Sequence, residues 1–67
     1  MEDNWVKVYS TENAFTAEVL KQGLTENEIP AVALNKKIGP YNLGVINIMV
    51  QQENFDKAME YIQANDI

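Results

Sequence analysis

Val45-Ile46-Asn47-Ile48-Met49-Val50 is the stretch from which the rest of the chain can be read. It is dominated by β-branched residues. Alternation puts Ile46, Ile48 and Val50 on one face and Val45, Asn47 and Met49 on the other, as in a strand with one buried side. Downstream the period changes. Phe55, Ala58, Met59 and Ile62 fall at i, i+3, i+4 and i+7, which predicts an amphipathic helix over about 52–64 with Asp56, Lys57, Glu60 and Gln63 outward. Upstream, residues 36–44 read Lys-Lys-Ile-Gly-Pro-Tyr-Asn-Leu-Gly, whose glycines and proline predict an ordered loop. Before it, Ala31-Val32-Ala33-Leu34 is short, apolar and bounded by Pro30 and Asn35, which suits a strand.

The amino-terminal half repeats the alternation of strand and helix. Trp5-Val6-Lys7-Val8-Tyr9 is aromatic and β-branched, and Ser10-Thr11-Glu12-Asn13 follows as a helix-start signal with Ser10 or Thr11 as the cap. Ala14, Ala17, Leu20 and Leu24, with Phe15 and Val19 beside them, then recur at helical spacing over about 11–27. Asn27 suits the left-handed residue of a helix end, and Pro30 pushes Ile29 into an extended conformation. Gly23 inside the helix is read as a close approach to a strand.

The order is therefore β-α-β-β-α, and burying the apolar faces of both layers gives an α+β fold, a two-layer ferredoxin-like βαββα sandwich. We expect a single domain over residues 1–67, with a three-stranded mixed sheet in the order 1-3-2 and two helices on one face. Strand one is expected to lie parallel beside strand three. Strand parity assigns Val6, Val8, Val32, Leu34, Ile46, Ile48 and Val50 to the core, facing Phe15, Val19, Leu20, Leu24, Phe55, Met59 and Ile62.

Composition removes most enzymatic chemistry. The chain has no cysteine and no histidine, so it offers no thiolate, no imidazole base and no zinc site of the usual kind. Its carboxylates, such as Glu26 with Glu28 or Asp56 with Glu60, lack the spacing of a calcium loop. Catalytic residues, metal and cofactors are all expected to be none. A net charge of -5 disfavours nucleic acid, and no apolar run is long enough to cross a bilayer. With no basic, apolar leader at its start, the chain is expected to be cytoplasmic.

Two surfaces remain as candidates. Parity leaves Trp5, Lys7, Tyr9, Val45, Asn47 and Met49 on the sheet face away from the helices, together with Ala31 and Ala33. That face is unusually apolar, which points to a homodimer or other homo-oligomer, or to a protein partner. The other candidate is an anion site in the 36–44 loop, where Lys36 and Lys37, the one adjacent basic pair, stand near Tyr41.

The run from Trp5-Val6-Lys7-Val8-Tyr9-Ser10-Thr11 to Ala17-Glu18, the segment Leu24-Thr25-Glu26-Asn27-Glu28-Ile29-Pro30-Ala31-Val32 and Asn54-Phe55-Asp56-Lys57-Ala58 together resemble the small bacterial family called putative prokaryotic signal-transducing protein. The resemblance covers nearly the whole chain. It implies a ferredoxin-like fold related to that of P-II nitrogen-regulatory proteins, no established function and no catalytic residue to carry over; a non-catalytic signal-transducing or regulatory interaction module is the expectation.

Overall fold

The computed structural model describes residues 4–38, 43–65 and 67. Strand β1 (Trp5–Thr11) leads into helix α1 (Ala14–Glu26), strand β2 (Ala31–Ile38) and strand β3 (Leu43–Gln51). A 3-10 turn, Gln52–Asn54, then opens helix α2 (Phe55–Ala64). The sheet order is β1-β3-β2, as the sequence predicts. Its directions differ from the expectation. β1 pairs antiparallel with β3, and so does β2, so the sheet is antiparallel throughout rather than mixed. The reason is geometric: the helical crossover returns β2 in the direction of β1, the hairpin reverses β3, and a strand inserted between the two must oppose both.

Asn13, not Ser10 or Thr11, caps α1. Its Oδ1 accepts from the Phe15 and Thr16 N–H groups at 2.9 and 3.2 Å. Thr11 still belongs to β1, and its hydroxyl accepts from the Asn13 N–H at 3.0 Å. At the other end the left-handed residue is Glu28, with φ 64, whereas Asn27 has φ -95. The Ile29 N–H donates to the Leu24 carbonyl at 2.9 Å and the Glu28 N–H to the Thr25 carbonyl at 3.0 Å. This pair of bonds is a Schellman closure, and the side chains of its two ends, Leu24 and Ile29, are both buried.

The core is one cluster: Val8 from β1; Ala17, Leu20 and Leu24 from α1; Ile29; Ile48 and Val50 from β3; Ala58 and Ile62 from α2. Phe15, Val19 and Phe55, expected inside, are exposed, Phe15 to 77%. With 3.6 residues per turn each step rotates about 100°, so Val19 falls off the stripe that Ala17, Leu20 and Leu24 bury. Gly23 serves the contact between helices rather than a strand, because a Cβ there would lie 2.8 Å from Cζ of Tyr61 on α2.

Candidate interaction surface

Register fixes which residues share a face, because residues directly opposite in an antiparallel ladder point the same way. On β3, Ile48 and Val50 are buried, so their neighbour Met49 and, further along, Asn47 and Val45 define the open face. Met49 stands opposite Lys7 on one side and Val32 on the other. Asn47 stands between Ser10 and Leu34, and Gln51 lies opposite Trp5. The Ser10 hydroxyl donates to Oδ1 of Asn47 at 2.6 Å, tying β1 to β3 across this face.

Trp5, Lys7, Val45, Asn47 and Met49 are thus brought together on the open face as the sequence predicts. Tyr9 is not. A bulge between Lys7 and Tyr9 sets Tyr9 opposite Ile48, and it packs against the core beside the buried Val8. An extra residue shifts the alternation by one, so the residues beyond it exchange faces. β2 also departs from the expected parity. Ala31 and Ala33 lie opposite Val50 and Ile48, which sends Val32 and Leu34 to the open face, 37% and 47% exposed. Sequence reasoning therefore missed two apolar members of the surface, along with Ser10 and Gln51. The hairpin register would have found Val32 and Leu34 had the strand been extended to Ile38.

None of the described strands contains an aspartate or glutamate, and three of the five lysines, Lys7, Lys36 and Lys37, are strand residues. Among the described residues the carboxylates belong to the helices and connections. Among the described strand residues of the open face, Trp5, Val45, Asn47 and Met49 are half-buried, and Lys7, Val32 and Leu34 are exposed.

The family described as "Putative prokaryotic signal transducing protein" matches residues 5–66. The chain belongs to that family. No curated protein and no solved structure matches it.

The proposed anion loop is shorter than expected. Lys36 and Lys37 are consecutive ladder residues of β2, opposite Val45 and Gly44, and Tyr41 lies outside the described residues. A cleft of 330 Å³ opens where α1 ends against α2, lined by Asn27, Ile29, Lys57, Glu60, Tyr61 and Ala64. Lys57 and Glu60 are three apart on the helix surface, the ordinary spacing of a solvated ion pair. Among the described residues there is no cluster of metal-ligating side chains, and no helix is long and apolar enough to cross a membrane.

Proposed function

We propose that this chain is a non-catalytic regulatory module of the signal-transducing kind its family description indicates, acting through protein contact and first of all through contact with a second copy of itself. The observation that carries the reading is the open face of the sheet. Trp5, Val32, Leu34, Val45 and Met49 share it, and no second layer of the described chain covers them. Aromatic residues and methionine are enriched at the cores of interfaces, where acids are depleted. A second copy suits this face on electrostatic grounds. Two chains of net charge -5 repel on average, and the strands, free of carboxylates, are where they can meet without setting acid against acid.

Trp5 is the sole tryptophan, so its emission reports directly on this face. Sedimentation should show an assembly at micromolar concentration, and dilution should shift Trp5 emission to the red. Trp5→Glu should yield a folded protein of lower assembled mass. A wild type that sediments as a monomer at about 500 μM, more than the roughly micromolar affinity of a modest interface requires, with emission independent of dilution, overturns the reading.

A further inference from the structure

The outer edge of β2 is the least defended part of the sheet. β2 pairs with β3 residue by residue from Ala31 to Ile38, without a bulge, and no proline lies within it. Among the described residues nothing pairs with its other side. β1, the opposite edge, is interrupted by its bulge, a device that keeps edges from pairing. The successive residues Val32, Ala33, Leu34 and Asn35 are all exposed, although they alternate between the two faces of the ladder. The middle of β2 is therefore bare on both sides, and its unpaired backbone is a template for one more strand.

The charges at its ends say which strand fits. Exposed Glu26 and Glu28 precede β2, and Lys36-Lys37 stand near its end. Parallel pairing of two copies would set basic end against basic end. Antiparallel pairing sets the basic end of each against the acidic end of the other. Side chains agree with this choice. A two-fold axis through Ala33, perpendicular to the sheet, brings Val32 opposite Leu34 of the second copy on the open face, and Ala31 opposite Asn35 on the helix face. The Val32–Leu34 pair, which the axis repeats, is apolar, and apolar cross-strand pairs stabilise a ladder.

We propose that two copies join antiparallel through the outer edges of β2, forming one six-stranded sheet with the helices of both on the same side. The contact is isologous, so each copy uses the same edge and both faces continue across it. It is separate from the contact through the open face, and its test is made in the Trp5→Glu background, where that contact is removed.

Trp5→Glu should sediment as a dimer. Adding Lys36→Glu with Lys37→Glu, or alternatively Glu26→Lys with Glu28→Lys, makes both ends of β2 alike in charge and should weaken the dimer by about tenfold or more. An equimolar mixture of the two reversed proteins should associate again, one of each per dimer, and an effect that the mixture restores cannot come from misfolding. In the wild type, hydrogen exchange of the amides of residues 32–35 should slow as concentration rises. A monomeric Trp5→Glu protein whose wild-type parent assembles overturns the edge contact and leaves the face contact standing. Reversed variants that dimerise undiminished, a mixture that fails to associate, or amide exchange in β2 independent of concentration overturns it as well.

Discussion

Glu28 holds a conformation that its side chain opposes, and removing that side chain should make the protein more stable. With φ 64 it occupies the left-handed region that closes the Schellman motif between α1 and β2. A residue with a Cβ pays about 1–2 kcal/mol there, and glycine does not. Glycine also loosens the unfolded chain, which returns roughly 0.5–1 kcal/mol. The net expectation for Glu28→Gly is a gain of about 0.5–1 kcal/mol, a rise in Tm of roughly 2–8 °C for a domain of this size. Thermal unfolding followed by circular dichroism measures it, with urea titration as a second scale. Glu28→Ala is the control, since it removes the same carboxylate but keeps the Cβ, and it should stay within about 0.5 kcal/mol of wild type. Glu28→Asn should fall between the two, because asparagine tolerates this region better than most residues. If the glycine variant melts at or below the alanine variant, the conformational argument is wrong, and the effect of Glu28 is electrostatic or absent.

Two further outcomes test the helices. Gly23→Ala should gain helix propensity of about 1 kcal/mol in a Tyr61→Leu background but at least about 0.5 kcal/mol less in wild type, where the new methyl meets the phenol, and equal effects in both would refute that contact. Asn13→Ala should cost about 1 kcal/mol in urea unfolding, because its Oδ1 serves two backbone N–H groups, and an unchanged midpoint would assign the cap elsewhere.

The elements themselves were legible in the sequence because two periods announce them. β3 shows its alternation plainly, and the buried stripes Ala17-Leu20-Leu24 and Ala58-Ile62 sit where helical spacing puts them. What the sequence concealed are relations between elements. A one-residue difference in where β2 aligns on β3 exchanges its two faces, and that alignment depends on a hairpin whose strands run further, to Ile38 and from Leu43, than their apolar content suggests. Bulky Val32 and Leu34 look like core residues and Ala31 and Ala33 like surface ones; the register reverses the assignment. In β1 the bulge interrupts the period of two after Lys7, and nothing in Trp5-Val6-Lys7-Val8-Tyr9 marks where the extra residue falls. The open face was therefore right in kind, an apolar sheet surface around Met49, and wrong in three of its members, Tyr9, Ala31 and Ala33.

The placement of charge also determines how large an assembly can become. The fold is a slab, 15 Å across its shortest axis, with carboxylate-free strands in one layer and acidic helices in the other. Stacking two such slabs by their sheets leaves only helix layers outward, and these repel any third slab that approaches from above or below. Joining two copies by β2 uses up the regular edge of each and leaves the bulged one. Each contact is self-complementary, so each used alone would close at two copies, where a head-to-tail contact would propagate a fibre.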